Sequence, residues 1–162
     1  EALTIGARMV SAWSGDQLGN QARSALAKIS AALPSNKQYS IETTPLYAPQ
    51  INQQCVSHSL TLFDEIHRAI NHRQRCNIVY FDAKQQQTMR HIWPLALYFW
   101  GYTWTLGAWC EHRQDFRNFR LDRIDKLHLL AENYPDETGK RLADFIRQMK
   151  QNNPDQQFTI VL

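Results

Sequence analysis

The sequence predicts an α+β protein: a small antiparallel β-sheet, curled toward a barrel, with helices flanking it. Three observations predict this. Apolar residues at Leu18, Ala22, Ala25, Leu26, Ile29 and Leu33, and again at Leu60, Phe63, Ile66 and Ile70, recur at helical spacing, so each segment buries one stripe. From Cys76 onward the pattern changes to short β-prone runs separated by turn residues. A sheet built of such short strands exposes edges, and curling into a barrel removes them.

Taken in order, residues 2–33 read as helical, interrupted at Ser14-Gly15-Asp16, with Asp16 the expected N-cap of a second helix. Pro34 stops that helix because proline cannot continue the hydrogen-bond ladder. Residues 39–48 are a candidate extended segment, confined to an edge or loop by Pro45 and Pro49. A helix follows over 56–72, then a strand over 76–81 that ends at the turn Asp82-Ala83-Lys84. Further strands are expected at 86–93, 95–100, 102–110, 115–121 and 124–130, with a tight turn at Trp100-Gly101-Tyr102. Residues 138–149 form an amphipathic helix with Leu142, Phe145, Ile146 and Met149 on one side, and 158–162 read as a further strand. The expected core is Ile78, Tyr80, Ile92, Trp104, Leu106 and Phe119, with the helix over 60–70 covering an end or edge.

Composition narrows the function. A chain of 162 residues with 43% hydrophobic residues can bury a core, so most of it should be ordered. The net charge of +3 is too mild to indicate nucleic-acid binding by itself. Its distribution says more, since Arg113, Arg117, Arg120 and Arg123 crowd one short segment, and local charge focuses a field on an anion. Cys55, Cys76 and Cys110 lack CxxC or histidine-paired spacing, which supports neither a zinc site nor a disulfide framework; reduced thiols of a cytoplasmic protein are expected. His67 and His72 are wrongly spaced for joint metal ligation, and Asp64-Glu65 has no acid–base partner in sequence. No glycine-rich phosphate loop or nucleophile elbow occurs. The expectation is therefore a protein that is not an enzyme and carries no metal or cofactor. No apolar run approaches the ~20 residues needed to cross a bilayer.

The arginines are the candidate ligand contacts, because guanidinium groups hold phosphates with paired hydrogen bonds. Arg117, Arg120 and Arg123 are three apart and would alternate faces on a regular strand, unless a bend near Leu121-Asp122 reunites them. Neutralisation by Asp115, Asp122 and Asp125 in surface ion pairs is the alternative. Arg90 could reach the same anion from a neighbouring strand. Thr105 lies between Trp104 and Leu106 and so faces away from them, together with Thr103 and Gly107, where the absent side chain would leave room for a ligand. The aromatic cluster of Trp93, Tyr98, Phe99, Trp100, Tyr102, Trp104 and Trp109 reads mainly as core, with Tyr102 and Trp109 as expected exceptions that could stack on bases.

Several of these segments resemble the WYL domain, a sensor module of bacterial transcription regulators. The matching residues are Arg90-His91-Ile92-Trp93-Pro94-Leu95, Gly101, Trp104-Thr105-Leu106 and the block Arg117-Asn118-Phe119-Arg120-Leu121-Asp122-Arg123-Ile124. One departure is plain: the family's central tyrosine is replaced by Thr105, which keeps a hydroxyl but is shorter and cannot stack. The resemblance implies an Sm- or SH3-like barrel. It also implies a nucleotide or oligonucleotide effector held by Arg90, Thr105, Arg117, Arg120 and Arg123, and operator DNA bound by a helix-turn-helix domain before Glu1. On this reading residues 1–55 are a linker and homodimerisation region, 56–132 the sensing domain, and 133–162 a C-terminal helix leading into an extension. The competing reading is a stand-alone RNA- or single-stranded-DNA-binding Sm-like module.

Overall fold

The computed structural model describes residues 2–34, 53–101 and 103–152, with the backbone alone for 53–57. The expected extended segments at 39–48 and 158–162, and Tyr102, lie outside the described residues. The chain divides into two compact units, residues 1–65 and 66–162.

In the first unit, α1 (Ala2–Trp13) and α2 (Asp16–Ala31) are separated at Ser14-Gly15, where the sequence interrupts its helical period. Ser14 Oγ donates to the Val10 carbonyl at 2.6 Å, which occupies an acceptor at the end of α1. The N-cap of α2 is Gly15 rather than Asp16, which is the first helical residue. The side-chain acceptor comes instead from Asp64: the Gln17 N–H donates to its Oδ2 at 3.0 Å. A Cβ at position 15 would collide with that carboxylate, so only glycine lets Asp64 close in. Asp64 thus serves as a helix cap. Helix α3 (Gln53–Asn71) runs from this unit into the next.

The second unit is built on a five-stranded antiparallel sheet. Its strands are β1 (Gln74–Phe81), β2 (Gln87–Phe99), β3 (Trp104–Cys110), β4 (Asp115–Arg120) and β5 (Ile124–Asn133), in the order β4-β3-β2-β1-β5. The two outer strands, β4 and β5, are joined by a single 3-10 turn, Leu121–Arg123. Five flat strands would hold their outer members about 19 Å apart. A three-residue link spans at most about 14 Å when extended, and less when wound as a 3-10 helix. The sheet must therefore roll up, and it does: Tyr80 of β1 meets Phe119 of β4 edge-on at 5.1 Å, although two strands separate them in the sheet. Among the described residues β4 and β5 do not pair, so the roll is a barrel without its last seam.

Ile78, Ile92 and Leu106 are fully buried on the inner face, joined by Cys76, Ala108, Cys110, Phe119, Leu121 and Ile124. Tyr80 and Trp104 are half-buried, with Trp104 packed on Phe99 at 5.0 Å. Cys76 and Cys110 are buried free thiols.

The two strands expected at 86–93 and 95–100 are one strand, β2, which continues through Pro94. A register shift between Pro94 and Ala96 accommodates the proline, which has no N–H for a ladder. The Pro94 carbonyl is satisfied by the Tyr134 hydroxyl at 2.5 Å. Around the shift, Trp93, Leu95 and Trp109 lie on the outer face, and α4 (Leu142–Asn152) seals them with Phe145, Ile146 and Met149. Trp109 is therefore core, not a stacking platform; Trp100, just past the end of β2, is exposed. Helix α4 begins four residues later than the apolar spacing suggests. Asp144 Oδ2 accepts the N–H groups of Gly139 and Arg141, which fixes a turn where the sequence shows only an amphipathic run.

Candidate ligand site

The β3–β4 register decides which arginines can act together. Thr105 stands opposite Arg120 on β4 and opposite Tyr98 on β2, so the three form one row across the outer face. Arg117 pairs with Ala108 and Arg90 with Ile78, which places both on the inner-face side. The bend at Leu121–Arg123 comes after Arg120, too late to bring Arg117 and Arg120 onto one face.

Both strand arginines have acidic neighbours two residues away. Arg117 Nη2 lies 3.1 Å from Asp115 Oδ2. Arg120 makes a two-point pair with Asp122, Nε to Oδ1 at 3.0 Å and Nη2 to Oδ2 at 2.7 Å. These are solvent-accessible pairs, a type that contributes about 0–1 kcal/mol, so an incoming phosphate could exchange with either carboxylate at small cost. Asp122 engages Arg120 and leaves Arg123 without an ion pair among the described residues. Arg90 also has none among them.

Thr105 is buried, at 7% exposure. The room beside it is already taken: a Cβ at Gly107 would lie 2.6 Å from the Phe145 ring. The glycine thus admits α4, and ligand access to Thr105 is narrow. The aromatic hydroxyl of this row belongs to Tyr98, whose ring tilts against Phe145 at 5.8 Å. Burial pushes the Tyr98 phenol up to about 12, so it stays neutral and able to donate. Sequence reading treated Tyr98 only as core; its pairing with Thr105 depends on the shift at Pro94.

A second polar cluster also escaped the sequence reading. Arg75 Nε and Nη2 both reach Glu111, each at 2.9 Å, and Trp93 Nε1 donates to Glu111 Oε1 at 2.6 Å. Burial alone would raise the Glu111 carboxyl, but the hydrogen bonds from Arg75 and Trp93 outweigh it and hold the group below the ordinary carboxylate range. This network fastens the β3–β4 turn to β1 and β2. Among the described residues, no group of three or more metal-ligating side chains occurs, and no helix is long and apolar enough to cross a membrane.

A helix leading into a rolled, five-stranded antiparallel sheet, with its outer strands clasped by one 3-10 turn, defines a small Sm-like β domain. Residues 61–129, which span this sheet almost entirely, match the family described as the WYL domain, and this segment is a WYL domain. Among solved structures, the chain is similar to proteasome accessory factor B/C (PafBC) of Arthrobacter aurescens. The identity is 28% over 55% of this chain and 14% of that one, with a TM-score of 0.48. The chain thus spans a small part of that protein's length.

Proposed function

We propose that this WYL domain is the ligand-sensing part of a bacterial transcription regulator, a binding protein rather than an enzyme. Its effector would be an oligonucleotide or nucleotide-like anion. The observation that carries this reading is the corner formed by the end of β4, the 3-10 turn and the start of β5. There Arg120 pairs with the nearby surface carboxylate of Asp122, and Arg123 has no ion pair among the described residues. Arg120 adjoins Thr105 in register, so Arg120, Arg123 and Thr105 form the centre of the proposed contact. Arg117 and Arg90 lie on the other face and would be reached only by a ligand long enough to pass the edge of the sheet, which favours an oligonucleotide over a mononucleotide.

In this proposal residues 56–132 sense the effector and 1–55 link and dimerise, while 133–162 carry the C-terminal helix and the start of an extension. The regulator works in the cytoplasm and contacts operator DNA through a helix-turn-helix domain outside this chain. Leu3, Met9 and Val10 of α1 and Ile29 of α2 are exposed apolar side chains, which supports a role for these helices in a homodimer.

The test is a titration of a labelled oligonucleotide against the wild type and the variants Arg117→Ala, Arg120→Ala and Arg123→Ala, with folding checked by circular dichroism. A charge-assisted hydrogen bond contributes about 1.5–3 kcal/mol, so losing an arginine of the central contact should weaken binding roughly tenfold to a hundredfold. If the wild type binds and all three variants bind equally well, these arginines are surface ion-pair residues and the site is wrong.

A further inference from the structure

Away from the arginine corner, the second unit contains a cleft of about 340 Å³ between the end of α3, the segment after β5 and the start of α4. That is at the small end of the range of ligand cavities, about 300–1,000 Å³. Its apolar wall is Ile70, Leu95 and Tyr134, and its charged rim is Arg73, Asp136 and Arg141. The wall is preformed. Tyr134 stacks on Trp93 at 5.4 Å with the rings nearly parallel, and its hydroxyl is tied to Pro94. Its N–H donates to the Arg73 carbonyl at 2.8 Å, which anchors the residue that closes α3 in a left-handed conformation, φ 52°.

The rim has an excess of donors. Arg141 Nε lies 2.5 Å from Asp136 Oδ1, and Arg73 Nη2 lies 3.6 Å from Asp136 Oδ2. Two guanidinium groups thus converge on one carboxylate, which is itself half-exposed and can be exchanged. Lys140 is otherwise engaged, with Glu137 at 2.7 Å and above the Trp93 ring at 5.1 Å. The geometry points to a binding site for a small carboxylate with an aromatic or branched apolar body. The anion is taken by Arg73 and Arg141, and the body lies against Ile70, Leu95 and Tyr134. This site is separate from the proposed oligonucleotide contact and does not rest on it, since no residue is shared.

Benzoate is the probe, with benzamide as its neutral counterpart, and amide chemical shifts of the full chain are the readout. Benzoate should move the amides of Arg73, Asp136, Arg141 and Ala143 saturably, and benzamide should bind at least about tenfold more weakly because it forfeits charge-assisted bonds. Arg141→Ala should weaken benzoate by a similar factor. Asp136→Asn should tighten it several-fold, because the competing carboxylate is removed. No saturable shift with benzoate, equal binding of benzamide, undiminished binding by Arg141→Ala, or weaker binding by Asp136→Asn would each overturn the assignment. Oligonucleotide binding, measured separately, leaves these outcomes unaffected.

Discussion

The Phe145 ring fills the space that a Cβ on Gly107 would occupy, 2.6 Å from the modified position. Gly107 is in the middle of β3, and Phe145 is the most buried residue of α4, so this one contact sets how closely the helix approaches the sheet. Gly107→Ala should push α4 outward and cost about 1–3 kcal/mol, as overpacking does. Urea unfolding followed by tryptophan fluorescence would measure it. Combining Gly107→Ala with Phe145→Leu should cost less than the sum of the two single changes, because the smaller side chain relieves the clash.

The Arg75–Glu111–Trp93 network gives the domain an acid limb. Because the Glu111 carboxyl is lowered in the fold, its contribution is complete above the unfolded value, near 4.5, and is lost as pH falls through the folded value. Glu111→Gln should flatten this part of the stability profile, seen by comparing urea midpoints at neutral pH and at about pH 4. Glu111→Ala should cost about 1–3 kcal/mol at neutral pH, since it strands the Trp93 N–H.

Tyr98 and Tyr134 set an alkaline limb of the opposite sign. Burial raises both phenols to about 12. Their contribution is therefore complete below the unfolded value, about 10, and disappears as pH rises through the folded one. In a spectrophotometric titration two tyrosines should ionise late. Tyr134→Phe should remove one of them and cost about 1 kcal/mol for the lost bond to the Pro94 carbonyl.

Asp64→Ala should fray the start of α2, costing about 0.5–2 kcal/mol for the lost cap on Gln17. Asp64→Asn should keep most of the cap, because an amide oxygen also accepts. Hydrogen exchange at the first amides of α2 separates the two outcomes.

On the proposed arginine contact, Asp122→Asn should strengthen oligonucleotide binding, because it removes the charge that competes with the ligand for Arg120 in the two-point pair. Affinity of the wild type should fall with added salt as counterion release requires. Unchanged affinity in Asp122→Asn would mean that Arg120 does not meet the ligand.

Much of the fold was legible. Ile78, Ile92 and Leu106 lie in β-prone runs bounded by turn residues, and Phe119 stands between Asn118 and Arg120, the alternation that a strand with one buried face imposes. The continuity of β2 was hidden because proline usually ends a strand, and only the bulge and the Tyr134 hydroxyl explain its survival at position 94. Gly107 read as open space because the residue that fills it lies 38 positions later on another element, a contact that no local pattern encodes. The arginines' alternation was legible from their spacing, but whether a bend reunited them depended on where the 3-10 turn begins. The cleft was not legible at all: its walls come from residues between Ile70 and Ala143 that only the fold brings together.

The link Leu121–Arg123 has no slack, since it ties the two outer strands of a rolled sheet. One inserted residue there would lengthen the tether by about 3.3 Å and relax the force that keeps the roll shut. An insertion between Asp82 and Gln86 would only enlarge a turn between strands already paired side by side. Length polymorphism should therefore be tolerated at that hairpin and rejected at the corner where Arg120 and Arg123 sit, so the backbone spacing of those two arginines is set by chain mechanics.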